Sequence, residues 1–393
     1  MHELERLLAK GETDKAKSAA ERILAQQPGD ASALVVLAKV LLLEGQLDQV
    51  EPLIARAEAQ GVTAETLLLK ANLAAQRGRL EPAEGYFRQV LAREPQRAEA
   101  QFGLGLVLFK QGKHTEALGA LQESVRLQPQ NTVFVYRLGQ VQLDLGQADA
   151  GIQNIARATT LQRGFLPPWL SLIEALVDQG RVLEARRVVS EALGVFPSHP
   201  RLLSTLTALS LGMGDAKTSY MAASALAAQR PKDPQAQANL GLLLLLRGQH
   251  QEALHLCRTM ESLGLATADL KMLEATAHEA HEPPAYDAAE AAYEEAMGLD
   301  PEGWKAPNNL GQLLMRRPAR PPEQYMPRAI TVLEEAVRRK PEQPEPHLNL
   351  ALAYTRTGAK DKARAQAEHV LDAHPPAADD VREQAERLLQ TLG

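Results

Sequence analysis

Three side chains in this sequence have the types and spacing of a metal site: Glu274, His278 and His281, at i, i+4 and i+7. On one helical face they would offer a carboxylate and two imidazoles, donors that zinc accepts. That geometry requires the helix to reach His281. The text His278-Glu279-Ala280-His281 is one residue short of the spacing used by a metalloprotease helix. His250, His255 and Cys257 do not rescue a tetrahedral site, because Cys257 is expected to point into the core. A lone cysteine cannot form an intrachain disulfide, and its place inside a helix fits a small core residue better than a reactive thiol. The competing reading of Glu274, His278 and His281 is a solvated polar patch. No paired-carboxylate cleft, glycine-rich phosphate loop or nucleophile elbow occurs elsewhere, so no enzymatic activity and no cofactor are expected.

What would position any of these residues is a recurring element, best seen over residues 98–131, AEAQFGLGLVLFKQGKHTEALGALQESVRLQPQN. It reads as helix, glycine turn, helix. Gly105 permits close approach of the two helices, Gly112 ends the first, Ala117 gives the second a small contact residue, and Pro129 stops it. The place of Ala117 is held in turn by Ala16, Val50, Ala83, Gly151, Ala185, Ser219, Ala253, Ala289, Ala329 and Ala363. Most steps between these are 34 residues, and a glycine stands five residues before each except Ala289 and Ala329. Proline follows twelve residues later in most units, as at Pro28, Pro95, Pro197 and Pro231.

A 34-residue helix-turn-helix period resembles the tetratricopeptide repeat family. Ala289, Tyr293, Ala296 and Pro301 reproduce that family's small, aromatic, small, proline spacing, with Tyr286 at a further aromatic place. The resemblance covers nearly the whole chain and implies an all-α, right-handed superhelical solenoid of about eleven units plus a C-terminal capping helix. On this reading residues 1–377 form the solenoid, with irregular inserts near 281–287 and 316–327, and 378–393 form the cap. Residues 316–327, RRPARPPEQYMP, are expected to be extended and exposed, with tryptic cleavage at Arg316 and Arg328. Within them Pro318-Ala319-Arg320-Pro321 formally matches a proline-rich ligand core, but such four-residue matches are common and a stiff exposed loop is the better reading.

Composition narrows the class of partner. Lys and Arg total 43 against 49 Asp and Glu, a net charge of −6, and no basic block could track phosphates, so nucleic acid is not expected. Only 4% of residues are aromatic, so the helices should pack closely through Ala, Leu and Gly. The longest apolar run, 240–246, is too short to span a bilayer, and no leader pattern opens the chain. Direct membrane insertion is therefore not expected, and a cytoplasmic location is.

In repeats of this kind the first helix of each pair lines a concave surface, through unit positions 5, 9 and 12. Those positions read Phe102, Leu106 and Phe109 in one unit and Tyr136, Gln140 and Leu143 in the next, with Leu170 following. An exposed apolar channel suits an amphipathic helix or extended peptide, and Phe102, Leu106, Phe109, Tyr136 and Leu170 are the expected anchors. Burial of these side chains between neighbouring first helices is the alternative. Asn239, Asn309 and Asn349 share position 6, where an amide can bond a peptide backbone. The family's clamp for chaperone tails needs Lys at position 5 and Asn at position 9 of one unit, and this chain does not supply it. In the ninth unit the register is open: counting one way presents Glu274, His278 and His281, counting the other presents Met272, Thr276 and Glu279. The leading expectation is a non-enzymatic scaffold or adaptor that binds a protein or peptide, within a larger complex or alone. The alternatives are a metal-binding or histidine-switched protein centred on the ninth unit, and an envelope assembly factor lacking its export signal.

Overall fold

The computed structural model describes residues 2–317 and 322–392, and among them every regular element is an α-helix. Pro318-Ala319-Arg320-Pro321 lies outside the described residues. The chain divides into two compact units, Met1–Pro197 and Ser198–Gly393.

The N-terminal unit begins with α1 (His2–Ala9), α2 (Thr13–Gln26), α3 (Ala31–Leu43) and α4 (Leu47–Glu58). It continues through α5 (Ala64–Gln76), α6 (Leu80–Arg93), α7 (Ala98–Lys110) and α8 (His114–Leu127). It closes with α9 (Thr132–Asp144), α10 (Ala148–Leu161), α11 (Leu166–Asp178) and α12 (Val182–Val195). The C-terminal unit contains α13 (Pro200–Gly212), α14 (Ala216–Gln229), α15 (Pro234–Leu246) and α16 (His250–Ser262). Then follow α17 (Ala268–Glu279), α18 (Tyr286–Leu299), α19 (Lys305–Arg316) and α20 (Pro322–Arg339). The chain ends with α21 (Pro344–Arg356), α22 (Lys360–Leu371) and α23 (Asp379–Leu392). These are eleven antiparallel pairs and one further helix, as the period implies.

Local chemistry fixes where each helix starts and stops. Asp30 and Asn131 accept from the amides of Ala33 and Phe134, and Asp233 accepts from those of Gln235 and Ala236. Pro200, Pro234 and Pro344 open α13, α15 and α21, where a missing amide hydrogen costs nothing. The nine turn glycines, Gly112 among them, have φ between 68° and 79°, a region that a side chain disfavours.

Pairing rests on the small register residue. Ala16, Ala83, Ala117, Ala185, Ala253, Ala289, Ala329 and Ala363 expose no surface, and neither do Val50 and Ser219. Ser219 replaces the alanine without cost because its hydroxyl donates to the carbonyl of Thr207, 2.9 Å away on the paired helix. Opposite this residue a glycine is used where the backbones come closest. A Cβ on Gly105 would lie 2.6 Å from Cγ of Leu121, and one on Gly139 would lie 2.9 Å from the carbonyl oxygen of Gly151.

The described part of the proline-rich insert, residues 316–317 and 322–327, differs from the expectation of an extended, exposed segment. Arg316 is the last residue of α19, and Pro322–Arg339 is one helix that contains Pro327. The helix wins because it buries Tyr325 and Met326, which are 5% and 7% exposed, against one backbone hydrogen bond lost at Pro327. Arg317 is docked as well. Its guanidinium pairs with Asp287 and with Glu290, the latter at 2.6 Å, and lies near the rings of Tyr286 and Tyr325. Its side chain is only 6% exposed.

Two outcomes follow from this packing. Gly139→Ala forces backbone apart at a helix pair and should lower stability by about 1–3 kcal/mol, whereas Gly119→Ala, with open space around its Cβ, should raise it by up to about 1 kcal/mol. Urea unfolding followed by circular dichroism checks both, and equal midpoints for the two variants would contradict the close-approach account. Arg317→Met removes the cation held by Asp287 and Glu290, so tryptic cleavage after Arg316 and Arg328 should quicken; unchanged digestion rates would show that the docking does not depend on this ion pair.

Candidate partner-binding groove

The first helices α5, α7, α9 and α11 of the N-terminal unit present side chains to a shared groove of about 1000 Å³. Phe102, Leu106 and Phe109 come from α7 and line it, on one helical face. All three are half-buried. Phe102 stacks on Phe134 of α9 with centroids 4.4 Å apart and planes at 21°, so one aromatic floor spans two helices. Ala75 of α5 and Leu143 of α9 extend it.

Tyr136 and Leu170 are not brought to this groove. Tyr136 is 7% exposed, and its hydroxyl lies 2.9 Å from Oγ of Ser171 while accepting from Nε2 of Gln140 at 2.9 Å. Its ring meets Phe165 edge-on at 6.0 Å. A phenol whose polar end is bonded across to the next first helix is more stable between helices than facing solvent, so position 5 turns inward here. Leu68, at the same position of an earlier unit, is likewise buried. Tyr136 is therefore buried between helices, whereas Phe102, Leu106 and Phe109 are half-buried and line the groove.

Sequence reasoning missed Phe134 and the charged rim. Glu99, Lys110, Arg137, Asp144, Glu174 and Asp178 all border the groove. Glu99 is held by Arg97 at 2.9 Å. Asp144 and Asp178 are exposed and are the last residues of α9 and α11. The signal was available as one column of helix-final residues, Gln76, Lys110, Asp144 and Asp178.

In the C-terminal unit a second hollow, of about 600 Å³, is lined by α15, α17 and α19, with Glu345 of α21. Asn239 and Asn309 border it, with Leu242, Met272 and Trp304. Asn349 is 8% exposed and donates to Oδ1 of Asn308 at 2.8 Å, and Asn308 donates to Asn309 at 3.2 Å. Its amide is thus used to join first helices.

The open register of the ninth unit resolves toward Met272 and Thr276, which line this hollow. Glu274 faces Lys271 at 3.1 Å, and His278 lies 4.0 Å from Glu274. α17 ends at Glu279, so His281 is not on its face; Nδ1 of His281 lies 3.1 Å from the Pro283 carbonyl oxygen. The helical condition for the metal set is not met, and among the described residues no three His, Cys, Asp or Glu side chains are placed to hold a metal. Glu279 instead accepts from the Tyr293 hydroxyl at 2.7 Å and pairs with Arg316 at 2.8 Å. Burial and that carboxylate both push the phenol upward. Lys271, 6% exposed, bonds Glu261, Glu274 and Glu295; burial alone would lower its pKa, but the three carboxylates raise it. Burial, then Glu274, pushes the Cys257 thiol up to about 12.

Two models of the tetratricopeptide repeat match the sequence, one over residues 68–132, 215–263 and 327–378 and the other over 7–73, together more than half of the chain. The chain belongs to the tetratricopeptide repeat family. Members of this family are interaction scaffolds in general, and their fold recurs in solved structures. Yeast Tom70 aligns over 100% of this chain and 94% of its own, at a TM-score of 0.50 and 13% identity. The pilF protein of Pseudomonas aeruginosa aligns over 53% of this chain and 95% of its own, at a TM-score of 0.43 and 19% identity. In sequence, the chain is 27% identical over 159 residues to cellulose synthase operon protein C of Pseudomonas fluorescens (strain SBW25). That match covers 38% of this chain and spans about 12% of the length of that curated relative. No helix among the described residues is long and apolar enough to cross a membrane.

A thiol raised to about 12 and buried between α16 and α17 is almost wholly protonated at pH 8. Native protein should therefore react slowly with a maleimide and fully once denatured. Complete labelling of the native chain within minutes would mean that the α16–α17 contact opens readily.

Proposed function

We propose that this tetratricopeptide repeat chain is a non-enzymatic adaptor that holds a protein or peptide in the groove of its N-terminal unit. The observation that carries the reading is the continuous apolar floor on which half-buried Phe102, Leu106 and Phe109 line the groove beside the buried ring of Phe134. Family membership supports the interaction role in general. The absence of any grouped nucleophile, base and oxyanion donors in the groove lining supports the non-enzymatic part, since the polar groups there are scattered along separate helices. Asn239 and Asn309 mark a second, amide-rich contact region in the C-terminal unit.

Each well-buried partner side chain on the aromatic floor should contribute about 1–3 kcal/mol, so removing two anchors should weaken binding at least about tenfold. Affinity capture from the native lysate with wild type and a Phe102→Ser, Phe109→Ser variant measures this, with circular dichroism on both. Loss of partner with helicity kept is the expected result. Unchanged recovery by the folded variant would move the site to the hollow bordered by Asn239 and Asn309.

A further inference from the structure

One device recurs where a second helix meets the unit before it. The carbonyl of a unit-closing proline is held by a side chain of the next second helix: Pro28 by Arg56 of α4, Pro129 by Arg157 of α10 and Pro341 by His369 of α22. These three donors stand six residues after the register residues Val50, Gly151 and Ala363. Arginine keeps its charge and all its donors throughout the range in which proteins fold. In the last pair the donor is an imidazole, and it does not act alone.

His347 of α21 reaches the same carbonyl. Its Nε2 lies 2.9 Å from the Pro341 oxygen, Nε2 of His369 lies 3.1 Å from it, and the two rings stack with centroids 3.9 Å apart and planes at 30°. Nδ1 of His347 lies 2.6 Å from Oε1 of Gln366 on α22. Since a carbonyl only accepts, the two rings donate to it and tie α21 and α22 to the turn after α20. His347 is 4% exposed, whereas His369 is exposed. A proton added to His347 therefore lands on a ring shut off from solvent, with a second imidazole against its face.

Burial, with repulsion from His369, outweighs the bonds to Gln366 and Pro341 and holds the His347 ring below the ordinary histidine value. Of the elements packed on α21, which are α19, α20, α22 and α23, only α22 sets an ionisable group, His369, where its charge bears on the ring. Lys340 and Glu342 of the turn pair with each other at 3.4 Å, and Arg338 and Arg339 at the end of α20 pair with Glu335. A loosened contact, in which the ring reaches water, takes up the proton more readily than the docked one. The contact is therefore at full strength above about pH 6.5 and weakens as pH falls through the docked ring's lower value.

We propose that this stacked pair makes the last repeat a pH-sensitive joint, docked on the turn after α20 while His347 is neutral and loosened when acid protonates it. Arg56 and Arg157, which stay charged, give their own units no such response. The effect reaches the second hollow, because α21 supplies Glu345 to its lining and Asn349 to the bond with Asn308.

Hydrogen exchange of the full-length protein, read as protection factors at about pH 7.5 and about pH 5.5, tests the joint, with α13 and α14, which hold no histidine, as internal standard. Expected in acid is a loss of protection across α21, α22 and α23 of at least about threefold relative to that standard, reversed at the higher pH. His347→Gln, whose amide keeps a donor for the Pro341 carbonyl, should abolish the loss. His369→Gln removes the neighbouring charge and should make it smaller. An equal loss in α13 and α14, or a full loss in His347→Gln, would overturn the proposal. If His347→Gln leaves the last three helices unprotected already at the higher pH, the exposed His369→Gln variant decides: a loss as large as in wild type overturns the joint, and a smaller one upholds it.

Discussion

Everything in this molecule depends on how closely two antiparallel helices can approach. The distance is set by a small residue on the second helix meeting the backbone of the first, and the consequence is a core in which dispersion contacts between backbones and Leu, Val and Ile side chains replace aromatic bulk. Gly139 and Gly151 show the limit, where each would place a Cβ within 3 Å of the other's carbonyl oxygen. A pair built this tightly has little freedom of register, so the turn glycine and the small contact must stay in step, and a period of 34 residues is the result. The period is thus a packing requirement before it is a family mark.

The groove is a by-product of the same geometry. Once second helices are spent on pairing, each first helix buries the side toward its partner and has one face left over, and neighbouring faces add together. Whether a side chain on that face is open or enclosed is decided one level up, by its neighbours in the next pair. Phe102 stays in the groove because it stacks on Phe134; Tyr136, at the same unit position, leaves it because Ser171 bonds its hydroxyl. The difference between a groove-lining and a core residue here is one hydroxyl and one serine 35 residues away.

That is why the sequence was legible in some respects and not in others. Helix pairs, the turn at Gly112 and the close approach at Gly105 are local or follow directly from the period, and all were readable. The floor of Phe102, Leu106 and Phe109 was readable because one helix carries it. Tyr136, Leu170 and Asn349 were misplaced because their environment depends on a second repeat. The ninth unit was ambiguous because a two-residue insertion leaves two registers with similar hydrophobic patterns, and only the end of α17 at Glu279 separates them. Residues 322–327 were read as extended on the strength of their prolines, when burial of Tyr325 and Met326 outweighed them.

The two pairs that lack a turn glycine, those of Ala289 and Ala329, are tied to their neighbours by charged and hydroxyl side chains, and there is a physical reason for it. Without a residue free to adopt positive φ, the connection must lengthen, and a longer connection fixes the register less firmly. Side-chain bonds then supply the constraint. Lys271 ties α17 to Glu261 of α16 and Glu295 of α18, Glu279 ties α17 to Tyr293 and Arg316, and Arg317 ties the end of α19 to α18 through Glu290. Each of these groups is held with its charge or hydroxyl bonded, so each specifies one alignment and penalises every other. The residues that looked most chemical in the ninth unit therefore align its helices, beside a connection that lacks the turn glycine.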